Sequence, residues 1–274
     1  VRRGVLRAAL AAEPVRQARR ALLDELQRGD AHHRGEQHDA DRLEAGLPLR
    51  VLVRVALGHE PRHREQHRAA HEVERAVDPE EEARRAIPVI EAVRSALPEM
   101  CISIDTRRES VARAALDAGA DMVNDVSALS DQKMADLVAQ RGCPVCIMHM
   151  QGLPENMQDD PSYGNVVTEV RGALKNAATR LFEAGVDPSR VIADPGIGFG
   201  KSLEHNLALL SAGRSVVPNE RMPLLWGVSR KSMFQHLLGR EDTSDRLSGS
   251  LGIAARAIDL GVDIIRVHDV AEHS

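Results

Sequence analysis

At 274 residues, with three cysteines and a formal net charge of −5, the chain has room for one large α/β domain or two small ones. That charge argues against a nucleic-acid binder. Three cysteines are too few for a disulfide framework and point to a reducing cytoplasm. No apolar run reaches the ~20 residues of a membrane helix, and Arg7 interrupts the only short apolar stretch near the start that would suit a secretory signal.

The composition is uneven. Residues 1–86 use ten residue types, and the first Ile, Ser, Thr and Lys are Ile87, Ser95, Thr106 and Lys133. Ordinary domains draw on most types. Within this segment Val15, Leu22 and Leu26 would share a helix face, and Leu49, Val51, Val53, Val55 and Leu57 alternate as a strand does. Arg2, Arg3, Arg7, Arg16, Arg19 and Arg20 resemble a transit peptide, but the serine such peptides carry is missing. His59, His63, His67 and His71 fall every fourth residue. A solvated stretch broken near Pro61 is favoured over a metal stripe there, because no constellation of cysteines or carboxylates supports one. Residues 1–76 are therefore set apart from a domain over 77–274.

From Val77 the pattern changes. Asp78-Pro79-Glu80-Glu81-Glu82 reads as a cap, a first-turn proline and first-turn acid, predicting a helix to about Leu97. Strands are expected at Met100–Asp105, Met122–Val126, Cys143–Met150, Arg190–Ala193, Pro223–Val228 and Asp263–Val267. Helices are expected at Arg108–Ala118, Asp131–Arg141, about Asn165–Ala184, Leu203–Ala212, Met233–Leu238 and Asp245–Leu260. The alternation implies right-handed βαβ units and a parallel sheet. Polar residues follow each strand: Asp105, Asn124, His149, Asp194, Ser229 to Ser232, and Arg266 to His268. A (β/α)₈ barrel gathers such ends at one mouth, and an open doubly wound sheet does so less evenly. A TIM barrel is the expected fold. Six strands do not close it, so either residues 1–86 supply two or the barrel is incomplete.

The loop after the fourth of these strands, Asp194-Pro195-Gly196-Ile197-Gly198-Phe199-Gly200-Lys201-Ser202, lets backbone approach a ligand. Pro195 breaks the spacing of a Walker A loop, and Lys201 breaks that of a dinucleotide fingerprint. Asp105, Asn124 and Asp194 offer acceptors and an amide suited to a flat, donor-rich heterocycle. Lys231, Arg230, Arg266 and His268 suit an anion such as phosphate. Taken singly, each has a plain structural reading: Asp105 as a helix cap, Asn124 as a loop brace, Arg230 as a solvated charge. Cys143-Pro144-Val145-Cys146 has redox spacing but sits within a strand, where buried apolar thiols are expected.

These stretches together resemble dihydropteroate synthase, a pterin-binding TIM-barrel family, over about residues 78–273. The resemblance is carried by Ser103-Ile104-Asp105-Thr106, Asn124-Asp125-Val126, Met148-His149-Met150-Gln151-Gly152, the Asp194–Lys201 loop, Gly227-Val228-Ser229-Arg230-Lys231-Ser232 and Arg266-Val267-His268-Asp269-Val270. It implies a cytoplasmic transferase of folate biosynthesis, usually a homodimer, that joins p-aminobenzoate to 6-hydroxymethyl-7,8-dihydropterin diphosphate with Mg²⁺ assisting and pyrophosphate leaving. It assigns Asp105, Asn124, Met148, Asp194 and Lys231 to the pterin, and Phe199 and Ser232 to p-aminobenzoate. Arg266 and His268 fall to the diphosphate, and Lys231, Arg266 and His268 form the catalytic group.

The departures lie at the two ends. The family's first two strand-loop motifs, Asn-x-Thr-Pro-Asp-Ser-Phe-Ser-Asp-Gly and Gly-Glu-Ser-Thr-Arg-Pro-Gly, have no counterpart in residues 1–76, and the metal-serving Asn goes with the first. The first two strands and the last helix are expected to be missing or aberrant. A reading-frame error upstream of Val77 would explain the ten-letter alphabet, and little or no synthase activity follows. Two alternatives stay open: a non-catalytic pterin-binding remnant, and a pterin-dependent methyltransferase domain. Lys231, Arg266 and His268 argue against the second, since methyl transfer involves no diphosphate.

Overall fold

The structure, a computed structural model, describes residues 78–152, 156–239 and 242–273 and the backbone strands at 39–43 and 50–56. Eight strands form one sheet: β1 Asp39–Leu43, β2 Arg50–Ala56, β3 Cys101–Asp105, β4 Met122–Asp125, β5 Val145–Met148, β6 Val191–Asp194, β7 Leu225–Trp226 and β8 Ile264–Ile265. Their order is β6-β5-β4-β3-β2-β1-β8-β7. From β2 to β6 every pair is parallel, as is β7 with β8. β1 runs antiparallel to both β2 and β8. The two edges of the sheet touch at one parallel bridge, Ala193 to Leu224, beside a bond from Ala193 N to Pro223 O of 2.8 Å. The edges meet at that point and not along a ladder.

Two strands precede β3: the Leu49–Leu57 alternation becomes β2, in register with β3 (Leu52 opposite Cys101). The aberrant feature is β1, whose direction no parallel βαβ unit produces. The other patterns noted before residue 77, including the arginine cluster and the histidine stripe, lie outside the described residues.

Helices connect the strands on the outside. They are α1 Pro79–Ala96, α2 Glu109–Asp117, α3 Lys133–Arg141, α4 Val166–Glu183, α5 Leu203–Ala212, α6 Met233–Leu238, α7 Leu247–Asp259 and the single turn α8 Val270–His273. α1 starts where its acids and proline predict: Asp78 accepts from Glu80 N at 2.9 Å, and Ala86, Val89, Ile90 and Val93 form the buried stripe. Arg94 ties the end of α1 to the sheet by donating to Gly119 O, Met100 O and Asp121. Asn165 caps α4 by accepting from Thr168 N at 2.9 Å.

Strands prove shorter than their apolar runs. β5 begins at Val145, because Pro144 has no N–H for the ladder. β4, β5 and β6 are buried along their whole length, as parallel strands covered on both faces are. The core has two parts. A large cluster lies between sheet and helices, and a small one takes Met122, Cys146, Ile192, Leu225 and Ile264, one from each of β4 to β8. The small cluster places one side chain per strand on the inner face of a curled sheet. Cys143 and Cys146 are both buried and not joined in a disulfide, and burial pushes the Cys143 thiol up, away from the reactive thiolate.

Candidate functional site

Strand register brings the candidate residues to one rim. Asp105 stands opposite Asn124, and Met148 opposite Asp194. Asn124 Nδ2 donates to Asp105 Oδ1 at 2.6 Å. Asp105 is therefore no helix cap: α2 is preceded by Arg108 and has no side-chain cap bond. With its amide nitrogen so engaged, buried Asn124 Oδ1 has no hydrogen-bond partner among the described residues. A buried acceptor in that condition raises the free energy of the protein by roughly 1–3 kcal/mol until a donor arrives.

Asp194 is almost fully buried at the end of β6. Its Oδ1 accepts from Gly196 N at 2.8 Å and its Oδ2 from Arg266 at 3.0 Å, across 72 residues of sequence. The guanidinium lies over Gly227, where a Cβ would stand 2.5 Å from Nη2. Lys231 Nζ sits 3.9 Å from the centroid of the Phe199 ring, a cation–π contact. Ser229 accepts from His268 N at 3.1 Å, and its Oγ is 2.9 Å from His268 Nδ1. Ser232 opens α6 without a side-chain cap bond. Met148 is fully buried, its Cγ packed toward Gly196.

Five residues take parts that the sequence did not assign them. Arg230 is no solvated charge: it has φ +56° and a two-pronged ion pair with Asp269, whose carboxyl it holds below the usual range. Ser229 steadies His268. Asn206, buried on α5, accepts from Gly198 N at 2.7 Å and donates to Ser202 O at 2.8 Å, clamping the glycine loop. Lys201 and His149 meet beneath that loop, 3.1 Å apart. All five are polar residues in or beside the recognised motifs, and all but Asn206 find their partners at a distance in sequence.

Burial, together with the Lys201 charge, pushes the His149 imidazole down to about 4. The unfolded chain therefore takes up a proton below the ordinary histidine value of about 6.5 that the fold refuses until about pH 4. This contribution to stability is complete above about pH 6.5 and is lost as the pH falls toward 4, by about 3 kcal/mol in all. Denaturant titrations at pH 7 and pH 5 should show this acid loss, and His149→Gln should flatten the curve between those values. An unchanged acid slope in the variant would place the lost protons elsewhere.

Comparison with known proteins decides the family. The family model described as pterin binding enzyme matches residues 68–268. The dihydropteroate synthase of Escherichia coli (strain K12) is 44% identical over 196 residues, covering 72% of this chain and 68% of that one.

The chain belongs to the dihydropteroate synthase family.

The synthase of Neisseria meningitidis serogroup C is 45% identical over 197 residues, with 71% and 69% covered. Among solved structures, the Stenotrophomonas maltophilia dihydropteroate synthase matches with a TM-score of 0.68 at 42% identity, over 72% of this chain and 74% of that one. The Thermus thermophilus synthase in complex with 4-aminobenzoate matches at 0.67 and 43%, over 72% and 75%. The synthase of Xanthomonas albilineans in complex with 7,8-dihydropteroate matches at 0.66 and 40%, over 73% and 72%. No helix among the described residues is long and apolar enough to cross a membrane. Among the described residues no group of three or more His, Cys, Asp or Glu could hold a metal ion.

Proposed function

We propose that residues 78–273 present the pterin diphosphate and p-aminobenzoate sites of a dihydropteroate synthase, and that the chain turns over slowly. The amine of p-aminobenzoate attacks the methylene carbon of 6-hydroxymethyl-7,8-dihydropterin diphosphate. The C–O bond to the diphosphate breaks first and pyrophosphate takes the bonding pair, leaving a cationic pterin; the C–N bond then forms, and the amine gives up a proton to yield dihydropteroate. The observation that carries this reading is the partnerless Asn124 Oδ1 beside Asp105 on the rim that also holds Asp194. A ring with N–H donors completes that group.

Asp105, Asn124 and Asp194 accept from the pterin, and Met148 packs on its face. Lys231 touches the pterin and, held over Phe199, borders the p-aminobenzoate site. Ser232 meets the p-aminobenzoate carboxylate at the start of α6. Arg266 and His268 hold the diphosphate. Nothing here forms a covalent intermediate: acceptors keep the electron-poor pterin in place while cations take up leaving-group charge, so positioning and electrostatics carry the rate. Magnesium in the family reaction assists the diphosphate, and no step above passes through it. The sheet is read as a (β/α)₈ barrel with an aberrant first strand, the domain as 77–274, and the working state as a cytoplasmic homodimer.

Slow turnover follows from the missing Asn-x-Thr-Pro-Asp-Ser-Phe and Gly-Glu-Ser-Thr-Arg-Pro-Gly motifs, whose place is taken by residues 1–76. Calorimetry with a 6-hydroxymethylpterin and a pyrophosphate-release assay on the purified chain separate the two halves of the proposal. Pterin binding with weak release is expected. Absence of pterin binding would overturn the site, and release as fast as in the Escherichia coli relative would overturn the loss of activity.

A further inference from the structure

Two loops of the rim are joined by a group to which none of the substrate contacts above is assigned. The turn after β5, His149 to Gln151, and the glycine loop after β6 lie so close that a Cβ at Gly196 would stand 1.9 Å from His149 O, and one at Gly200 2.3 Å from Gln151 O. Lys201 passes between them and is only 3% exposed. Its Nζ lies 2.9 Å from Phe199 O, 3.2 Å from His149 O and 3.1 Å from His149 Nδ1. An ammonium has three protons to donate, and three acceptors surround this one. The arrangement also specifies the imidazole: if Nδ1 accepts from Lys201, the ring proton is on Nε2.

The consequence falls on Phe199. Its carbonyl is held by Lys201 and its N–H donates to Gly196 O at 3.1 Å, while its ring carries the Lys231 ammonium. Tyr163 and Gln158 hold the same loop from outside, donating to Gly200 O at 2.8 Å and Gly198 O at 2.6 Å. Only Lys201 links the Phe199 carbonyl to the β5 rim in these bonds.

We propose that Lys201 is a positioning residue: by locking the glycine loop to His149, and His149 in its Nε2–H tautomer, it sets the Phe199–Lys231 face that receives p-aminobenzoate, without touching substrate itself. The subsite half rests on the functional reading above, and the tie between loops does not. Burial pushes Lys201 down to about 7 and His149 down to about 4, so at about pH 6 the lysine is charged and the imidazole neutral, as the tie requires.

Two measurements test this at about pH 6. The first is the ¹⁵N spectrum of the histidine rings in the wild-type full chain, with His149→Gln assigning the resonance. An unprotonated, hydrogen-bonded Nδ1 on His149 is expected, and an Nδ1–H tautomer would overturn the tie whatever the protein binds. The second is calorimetry of p-aminobenzoate on the pterin- and pyrophosphate-loaded chain. Lys201→Met should weaken p-aminobenzoate by roughly tenfold, about 1.4 kcal/mol, with pterin affinity nearly unchanged. Lys201→Arg, which keeps donors at that place, should recover part of the loss. Equal weakening of both ligands would make Lys201 a general stabiliser and sink the proposal. If the wild-type chain binds neither ligand, the functional reading fails and the subsite half with it, while the His149 tautomer still decides the tie.

Discussion

Asp194→Asn is expected to weaken pterin binding about 100-fold, the largest binding loss of any single substitution at this rim. The carboxylate is almost fully buried and serves at once the Gly196 amide and the Arg266 guanidinium. Hydrogen bonds to a charged group are each worth about 1.5–3 kcal/mol. An asparagine keeps the shape, withdraws the charge, and turns one acceptor into a donor that faces donors. About 3 kcal/mol lost corresponds to that factor in affinity. The same change leaves Arg266 beside a neutral amide, so affinity for pyrophosphate should move as well, whereas Asn124→Ala should affect the pterin alone. Calorimetry with a 6-hydroxymethylpterin and with pyrophosphate reads both, and a loss under threefold for Asp194→Asn would remove it from the site.

The largest expected loss of stability is at Gly196. Its φ of +69° is a conformation that side chains rarely adopt, and the atom a Cβ would strike, His149 O at 1.9 Å, is backbone at the end of β5. A flexible side chain would swing away, but here two strand ends must separate. Gly196→Ala should therefore cost about 3 kcal/mol or more, lowering Tm by roughly 6 °C or more for a chain of this size. Gly172 is the control. It lies inside α4, where an added Cβ would meet nothing within 4 Å, so Gly172→Ala should stabilise the fold by about 0.5–1 kcal/mol. If the two substitutions gave similar Tm values, the close approach of the two loops would be refuted.

What was legible in advance was what short sequence separations encode. Asp78-Pro79 with the acids behind it is a helix start made of neighbours, and the cap forms as read. The alternation over Leu49–Leu57 marked β2 because a period of two survives even in a restricted alphabet. The motifs at the strand ends were readable for the same reason, since each is a contiguous stretch. The direction of β1 was not readable, because five residues carry no record of which neighbour they will pair with or in what sense. The short extent of β7 was set by which backbone groups found partners across the sheet.

The sequence by itself determined the alternation of strands and helices, the polar residue that follows each strand, and the family those stretches belong to, because local periodicity and contiguous motifs hold that information. The tertiary structure alone decided which of those residues work as pairs. Asp194 takes Arg266 from 72 positions away, Arg230 takes Asp269, Ser229 takes His268, and Lys201 finds His149 through a gap that only glycine permits. The physical reason is that such bonds depend on strand register and burial, which exist only once the sheet has assembled and water has been excluded from its rim.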